Sequence, residues 1–600
     1  MVHLFLFFVL SSANALAQWQ QNILVQEESP ASAEAQRQPV QEESSSIKAT
    51  LEQLVAALDV MQDTYFEHWL GTWPTSIDWT AEVLSTHVSA ALSSLTSAPL
   101  ELLFSSSTAQ QALAHENLID RYFDHISAFY FGENAFNLRN EAFDDMMWVV
   151  LGWLESIKFQ NLHSELHYTS GSDTNRTEHQ SWHGTQLRLP AAHRVRVFYE
   201  LASQGWDNTL CHGGMVWNPY LTPYKNAVTN ELFISASIGM YLYFPGDPID
   251  SPFVAADRGK RTPDYGRHDP SYLAAAAKAY QWLKDSHMTG FGGLYADGFH
   301  IRGWRSARNP GTRQCDVLNT MIYTYNQGIV LSGLRGLWLA TNSKEYLHDG
   351  HELVRKVIRA TGWPNVGSSI WAGLGRGGIL EEICDSSGDC SQDGHTFKGI
   401  FFHHLAEFCR SLSPEDERLI VHLAGRDGQS EADRKLLFRW HQAKCLGYRP
   451  WIELNANAAL VTRNEEGKFG AWWGRPYPDP EPRFIETATL PFGAVDYRNF
   501  GDMAEGSEQL VGLLKRQQYG NTAFAFSGLD KLQNRLSMPA SMGLFHRKSN
   551  TNQHPLETKE SNYPFDINDR GRGRTVETQS GGLAVVRALY QWKTSPFLDS

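Results

Sequence analysis

The 600-residue chain lacks most of the patterns that mark enzymes using a metal, a nucleotide or an activated serine. It contains no C-x-x-C pair, no H-E-x-x-H, no G-x-S-x-G and no histidine–cysteine cluster with zinc spacing. Residues 373–378 match G-x-G-x-x-G by letter, but no apolar strand precedes them, which argues against dinucleotide binding. The acidic residues between 385 and 393 lack EF-hand spacing, and the pair His403–His404 has no third ligand. We therefore expect neither a metal nor another cofactor.

Basic charge is also scarce. The chain has 52 basic against 66 acidic residues and a formal net charge of −14, which excludes binding of nucleic acid by bulk electrostatics. Beyond the first residues, no uninterrupted apolar run approaches the roughly 18 residues that indicate a transmembrane helix. We expect a monomer with no nucleic-acid partner and no membrane span.

The two ends of the sequence predict a secreted protein. Residues 1–17 combine an apolar run with a small-residue site at 15–17, the pattern of a cleaved signal peptide. Residues 594–600 lack the hydrophobic tail that a glycolipid-anchor signal requires. The expected location is therefore extracellular or in a cell wall.

Cysteines and a glycosylation sequon agree with that compartment. The six cysteines suit an oxidising environment, although six allow about 15 pairings. Cys384 and Cys390 are the best candidate pair, because only a short loop of glycine, serine and aspartate separates them. The sequon at Asn175 lies in a polar stretch and predicts an N-linked glycan.

Hydrophobic periodicity predicts an all-α fold. Apolar residues recur at steps of three and four from about 47 to 444, with glycine, proline, asparagine and aspartate clusters between the periodic segments. The alternation typical of strands is scarce there, so we predict a closed ring of helical hairpins. The expected organisation is a signal peptide at 1–17, a flexible linker at 18–47, a helical domain at 48–474, and a poorly regular C-terminal extension of unknown structure at 475–600.

The most informative stretch holds two adjacent acids, Asp144 and Asp145, at the start of an apolar helix. Trp148 lies one turn beyond Asp144, so an indole shelters the pair. Such a pair suits glycosidic bond cleavage, in which one carboxyl must be ionised and its neighbour must hold a proton. Two acids in the first turn of a helix also favour its dipole, which is the structural alternative. Spacing alone does not decide between retention and inversion of configuration.

Two further segments carry candidate sugar-binding groups. Residues 213–217 pair glycines with Trp217, and the following helix starts after Tyr224 and Asn226. Asn326 and Gln327 open another apolar helix. Flat indole faces and amide groups are suited to sugar rings and hydroxyls, but the same residues serve equally well as helix caps and core aromatics.

Taken together and in this order, the segments at 143–148, 213–217, 224–232, 324–328 and 397–401 resemble the fungal form of glycoside hydrolase family 76, the endo-α-1,6-mannanases and their transglycosylase-like relatives. The resemblance covers about 48–474. It implies an (α/α)6 barrel without a metal, acting on α-1,6-linked mannan or mannosylated cell-wall polysaccharide.

The resemblance also implies roles for individual residues. Asp144 matches the nucleophile and Asp145 the acid/base of a retaining mechanism. The residues on segments that line the family's cleft are candidate substrate-binding groups: Trp148, Trp217, Tyr224, Asn226, Asn326 and Gln327. We expect a secreted endo-acting hydrolase; the alternatives are a cell-wall mannan transglycosylase and a catalytically inert mannan-binding protein.

Overall fold

A computed structural model describes residues 30–103, 108–168, 181–250, 266–427, 431–474, 487–499, 566–569 and 572–595. The predicted signal peptide, the Asn175 sequon and the proline-rich stretch at 475–482 lie outside these ranges. The described helices are α1 Pro30–Tyr65, α2 Asp78–Thr96, α3 Leu100–Leu103, α4 Ala109–Gly132, α5 Ala135–Leu138, α6 Phe143–His167, α7 Arg188–Ala202, α8 Ala227–Tyr243, α9 Pro270–Asp285, α10 Ile329–Thr341, α11 Lys344–Ala360, α12 Gln392–Cys409, α13 Pro414–Asp427, α14 Glu431–Leu446, α15 Arg449–Val461 and α16 Val576–Thr594.

Within the described ranges, six helices form a closed inner ring. Helix α2 packs on α6, α6 on α8, α8 on α10, α10 on α12, α12 on α16, and α16 returns to α2. A second layer lies outside this ring: α4 packs on α2, α7 on α6, α9 on α8, α11 on α10, and both α15 and α1 pack on α16. The predicted all-α class and the (α/α)6 barrel are confirmed.

Burial separates the two layers in a way that the sequence encodes. Residues 227–242 of the inner helix α8 are buried without exception, because neighbours cover it all round. The outer helix α11 buries one stripe that includes Leu347, Leu353 and Val357, while Glu345 and Lys344 stand on its solvent side. A helix that is apolar all round belongs inside, and an amphipathic one belongs at the surface.

The C-terminal region departs from the predicted organisation. Residues 576–594 form α16, the sixth inner helix, and side chains such as Val576, Leu583 and Val585 are fully buried. A boundary at 474 therefore leaves out part of the helical domain. The apolar run of α16 follows a long stretch without periodicity, which hid it from the sequence prediction. Helix α1 likewise starts at Pro30, so part of the predicted flexible linker at 18–47 is helical.

Short strands lie among the connections at one end of the ring. Strands β1 Lys225–Asn226, β2 Gly298–His300 and β3 Val317–Asn319 form an antiparallel sheet in the order β1-β2-β3, with Asn226 opposite Gly298 and Gly298 opposite Asn319. Strands β4 Gly375–Arg376 and β5 Ile379–Leu380 pair as a small hairpin. The three-stranded sheet connects directly to the first residues of α8.

All six cysteines are paired. The predicted Cys384–Cys390 bond is present, and Cys211–Cys315 and Cys409–Cys445 form the other two disulfides. Across the described helices, none combines the length and the apolar character needed to cross a bilayer.

Candidate functional site

The first turns of the inner helices meet at one mouth of the ring. The indole N–H of Trp79 in α2 donates to Asp393 in α12 at 2.8 Å, and the hydroxyl of Thr80 donates to Glu577 in α16 at 2.9 Å. Asp144 and Asp145 belong to the first turn of α6 at the same mouth. The sequence thus brings the predicted acid pair to the place where the inner helices begin.

Local hydrogen bonds fix the acid pair. The backbone N–H of Phe143 donates to the carbonyl of Trp217 at 2.9 Å, which ties the start of α6 to the loop that carries this indole. Asp145 Oδ2 accepts from the backbone N–H of Ala142 at 3.0 Å and so caps the helix. Asp144 is 4% exposed, and its Oδ1 atom has no hydrogen-bond partner. One carboxyl of the pair therefore serves the helix, whereas its neighbour keeps a free oxygen.

Burial shifts the protonation of both acids. Desolvation raises the pKa of Asp144 to about 6, and the Arg498 guanidinium acts in the opposite direction. Desolvation also raises the pKa of Asp145 well above its usual value, and the charges of Asp144 and Glu141 add to the rise. Two adjacent buried carboxyls with raised pKa values are typical of a pair in which one acts as nucleophile or base and the other as acid.

Aromatic rings wall the mouth beside the pair. Trp148 is 4% exposed and stacks on Trp79 with ring centroids 5.9 Å apart. Tyr325 stacks face to face on Phe397 at 4.0 Å, and the Tyr325 hydroxyl is buried without a hydrogen-bond partner. These rings come from α2, α6, α12 and the turn before α10, so the aromatic lining is assembled from distant parts of the chain.

Buried polar residues hold the loop of Trp217 in place. Lys225 Nζ donates to the carbonyls of Gly213 and Gly214, each at 2.7 Å. Asn230 binds both the N–H and the carbonyl of Met215, at 2.7 and 3.2 Å. The 224–232 segment thus positions the loop that carries the indole.

The loop itself requires glycine at position 214. Gly214 has φ +87°, and a Cβ atom there would lie 2.4 Å from the ring of Trp282.

The remaining predicted residues divide into anchored and free groups. Tyr224 donates its hydroxyl to Asp297 at 2.6 Å, and the Gln327 amide bonds the backbone of Tyr295 and Tyr323. Gln327 therefore has a structural role in the described protein, as a clamp between two connections. By contrast, neither amide atom of Asn226 or of Asn326 has a hydrogen-bond partner, although both residues are fully buried.

The segment at 397–401 leads to a buried ionic cluster behind the mouth. Lys398 Nζ forms an ion pair with Asp385 and donates to the carbonyl of Ala471 at 2.8 Å. Burial raises the pKa values of the neighbouring Glu381 and Glu382 to about 8. Lys398 thus fixes the disulfide loop at 384–390 rather than pointing freely into the mouth.

Arg498 is a mouth residue that sequence reasoning missed. Its guanidinium lies 3.8 Å from Asp144 and 5.3 Å from the centre of the Trp217 ring. It belongs to residues 487–499, inside the region predicted to be an irregular extension, and no periodicity marks it. Asp297 and Asp393 were missed for another reason: each is a single acid in a connection or a first turn, without a neighbouring residue that marks a site.

One cluster elsewhere has the composition of a metal site. His351, His441 and Cys445 bring three potential ligand atoms within 4.8 Å of one another. The Cys445 sulfur is bonded to Cys409, however, so it supplies no thiolate. The two imidazoles and the hydroxyl of Tyr448 instead form a hydrogen-bonded chain.

Parts of the chain are similar to known glycosidases. The family model of Glycosyl hydrolase family 76 matches residues 259–457, a range that contains Asn326 and Gln327 and starts after the acid pair. The mannan endo-1,6-alpha-mannosidase DCW1 of Candida glabrata is 25% identical over 232 residues, which cover 38% of this chain and 41% of that protein. The mannan endo-1,6-alpha-mannosidase DFG5 of Saccharomyces cerevisiae is 25% identical over 215 residues, 35% of this chain and 38% of that protein. The chain thus spans about two fifths of the length of the curated relatives it matches.

One similar solved structure is an inactive variant of the α-1,6-mannanase GH76A of Salegentibacter sp. HEL1_6 in complex with α-1,6-mannotetrose. The match covers 72% of this chain and 93% of the mannanase chain, with 16% identity and a TM-score of 0.43. Another is Dfg5 of Chaetomium thermophilum in complex with glucosamine. Here the match covers 66% of this chain and 72% of the Dfg5 chain, with 15% identity and a TM-score of 0.37. Over residues 259–457 this chain is thus similar to glycosyl hydrolase family 76, and the two curated relatives that resemble parts of it are both named as mannosidases.

Proposed function

We propose that this protein is a secreted, retaining glycoside hydrolase that cleaves α-1,6-mannosidic bonds within mannan. The observation that carries the proposal is the buried Asp144–Asp145 pair at the mouth of the inner ring, with both pKa values raised and a free oxygen on Asp144. The two curated relatives are named for endo-1,6-α-mannosidase activity on mannan, which supports the choice of substrate.

In this mechanism Asp144 is the nucleophile. Its carboxylate attacks the anomeric carbon of the mannosyl unit while the glycosidic C–O bond breaks, and Asp145 gives its proton to the leaving oxygen. The product is a mannosyl ester on Asp144 and a shortened mannan chain. Asp145, now ionised, takes a proton from a water molecule, whose oxygen displaces Asp144 from the same carbon. Two displacements leave the configuration of that carbon unchanged.

The surroundings of the pair suit a polymeric substrate. A cavity of about 510 Å³ adjoins Phe143 and the Trp217 loop, and its lining includes Asn218, Trp304 and Arg313. Because Phe143 directly precedes Asp144, this cavity lies near the acid pair and offers room for sugar units of a polymer next to the bond to be broken. Asn226 and Asn326 have amide groups without hydrogen-bond partners, but both side chains are fully buried and do not line this cavity.

The test is the first product formed from linear α-1,6-mannan. The purified protein should release reducing ends inside the polymer, and proton NMR should show the α-anomer first. The β-anomer as first product would contradict a nucleophilic role for Asp144. Repeating the reaction with an added mannooligosaccharide acceptor separates hydrolysis from transfer, because a transglycosylase extends the acceptor and releases few reducing ends. Binding of the polymer without any turnover would identify an inert mannan-binding protein.

A further inference from the structure

Residues 487–499, which we name the strap, lie across the three-stranded sheet at the mouth of the ring. The side-chain amide of Asn319 in β3 forms two hydrogen bonds with the backbone of Val495 in the strap. Its Nδ2 donates to the Val495 carbonyl at 2.9 Å, and its Oδ1 accepts from the Val495 N–H at 2.8 Å. The next residue, Thr320, donates its hydroxyl to the carbonyl of Phe492 at 2.8 Å. These bonds seat the strap on the edge of the sheet.

Further contacts fix the end of the strap that reaches the acid pair. Asp496 Oδ1 accepts from the Tyr323 hydroxyl at 2.7 Å and from the backbone N–H of Arg498 at 3.1 Å. The side chain of Asn499 accepts from the backbone N–H of Ser391, at the start of α12, at 2.7 Å. Arg498 is therefore bracketed by two anchored residues, and its side chain is only 21% exposed.

Acidic and aromatic groups from four separate elements surround the Arg498 guanidinium. Asp144 of α6 lies 3.8 Å away, and the Trp217 ring lies beneath the guanidinium at 5.3 Å. Asp297 before β2 and Asp393 of α12 act on it electrostatically. A guanidinium in partly desolvated contact with both a carboxylate and an indole face is held by charge and by stacking.

We propose that Arg498 is a positioning residue that holds Asp144 in its ionised, nucleophilic form and thereby divides the protons of the acid pair. The proposal rests on the proposed function for the roles of the two aspartates. The contact between Arg498 and Asp144 does not depend on those roles.

The geometry favours Asp144 over Asp145 as the carboxyl that Arg498 acts on. The 3.8 Å ion pair joins Arg498 to Asp144, whereas Asp145 is turned toward the N–H of Ala142. In agreement, Arg498 is the strongest influence lowering the pKa of Asp144, and its effect on Asp145 is smaller than that of the helix cap. The proton of the pair is thus left on Asp145, which must donate it to the leaving oxygen.

The other ionisable groups around the pair act in the opposite direction or at greater distance. These groups come from several elements: Asp145 on α6, Glu141 just before α6, Tyr325 on the turn before α10, Asp297 beside β2, Asp393 on α12 and Asp496 on the strap. Negative charge on these acids disfavours ionisation of Asp144. Arg498 is the cation that the strap brings within 3.8 Å of Asp144. Its removal should therefore favour the protonated form of the nucleophile.

The test compares Arg498→Gln and Arg498→Lys with the wild-type protein by the pH dependence of kcat/KM on α-1,6-mannan. Wild-type kcat/KM should fall below about pH 6, where Asp144 takes up a proton. Arg498→Gln should move this acidic limb up by about one pH unit and lower kcat/KM about fivefold at pH 6. Arg498→Lys keeps the charge and should restore the limb. Arg418→Gln, which removes an exposed arginine paired with Glu165 on the opposite side of the molecule, is the matched control and should leave the profile unchanged.

A second measurement does not need activity. Titration of protein labelled with carbon-13 at the aspartate carboxyls, with the Asp144 signal assigned from Asp144→Asn, should show a higher pKa for Asp144 in Arg498→Gln than in wild type. An unchanged Asp144 titration would overturn the proposal, as would a uniform loss of kcat/KM with no shift of the limb. Higher activity in Arg498→Gln would identify the strap as a block over the cleft and would equally overturn it. If the wild-type protein releases no reducing ends, the proposed function fails, and the titration still decides the role of Arg498.

Discussion

The two ends of the inner ring differ in how closely their buried charged and polar groups are paired. At the mouth, Asp144 keeps a carboxyl oxygen without a hydrogen-bond partner, and Asn226 keeps both of its amide atoms free. At the far end of α6, Lys158 lies between Glu155 and Glu407 and forms ion pairs of 2.6 and 2.7 Å with them. The same helix therefore begins beside an acid that Arg498 compensates only in part, and it ends in a cluster of close ion pairs.

The pKa shifts follow this division. At the far end, Lys158 and the guanidinium of Arg410 hold the pKa of Glu407 well below its usual range despite burial. Arg410 likewise lowers the pKa of Asp416. Burial still raises the pKa of Glu155 there. At the mouth the pKa values of Asp144 and Asp145 are raised, because desolvation outweighs the effect of the nearby positive charge. Closely paired buried charge is typical of a structural role, whereas buried acids whose pKa values stay raised despite a nearby cation are typical of catalytic sites.

The largest expected effect lies at the mouth. Asp144→Asn and Asp145→Asn should each lower kcat/KM on α-1,6-mannan at least about 10³-fold, because in the proposed mechanism each carboxyl exchanges an electron pair or a proton in the transition state. The helical circular dichroism signal should stay unchanged. Retention of more than a tenth of wild-type activity by either variant would contradict the assignment of the pair.

The next effect belongs to the far end and concerns stability. Lys158→Met should lower the free energy of unfolding by about 3–5 kcal/mol, because it leaves two buried carboxyls without their shared cation. Thermal denaturation measures the change. Lys356→Met is the control: Lys356 pairs at 2.8 Å with an exposed Glu352, and its loss should cost under about 0.5 kcal/mol. Equal effects of the two changes would remove the distinction between a compensated core and a solvated surface pair.

A substitution beside the mouth tests the support of the Trp217 loop. Gly214→Ala should cost about 2–3 kcal/mol, because the added methyl group meets the Trp282 ring in a left-handed backbone conformation. Gly367→Ala is the matched control, since Gly367 has φ +86° with nothing within 4 Å of the added atom, so that only backbone strain of about 1–2 kcal/mol remains. Chemical denaturation of both variants isolates the contact with Trp282, and equal costs would show that this contact is unimportant.

The smallest expected effect is a pH dependence of stability with opposite signs at the two ends. The folded pKa of Asp144 is about 6, above its unfolded value, so its contribution to stability is complete in acid and is lost as pH rises through 6. Asp144→Asn should therefore gain about 1–2 kcal/mol relative to wild type between pH 4 and pH 7.5.

The far end supplies the opposite case for comparison. The folded pKa of Asp416 is lowered, so its contribution is present at neutral pH and is lost on acidification. Asp416→Asn should destabilise the protein most at neutral pH and least in acid. Denaturant unfolding at several pH values measures both variants, and slopes of the same sign would refute the contrast between the two ends.

Much of this architecture could be predicted from local pattern. Helical periodicity indicated the all-α class, and the short Cys384–Cys390 spacing indicated a disulfide that is present. The acid pair could be located because two adjacent aspartates among apolar residues are unusual at the start of a helix. Each of these signals is contained within a few consecutive residues.

What could not be predicted depends on contacts between distant residues. Arg498 lies 3.8 Å from Asp144 although the two residues are 354 positions apart in the sequence (498 − 144). Nothing near Arg498 in the sequence marks it as part of a cleft. Gln327 matched a sugar-binding pattern, yet its amide is used up by the backbone of Tyr295 and Tyr323. Whether an amide is free or already bonded is decided by tertiary structure, which a single sequence does not display.

The position of α16 in the ring has a consequence for biosynthesis. Thr80 of α2 bonds Glu577 of α16, so the seam between the first and the last inner helix joins segments 497 residues apart. Until a growing chain has emerged past residue 594, the apolar flanks of α2 and α12 that α16 covers have no native partner. Such a protein depends on protection of its nascent form, and a premature stop between residues 474 and 576 should yield an open, aggregation-prone ring of helices instead of a shortened enzyme.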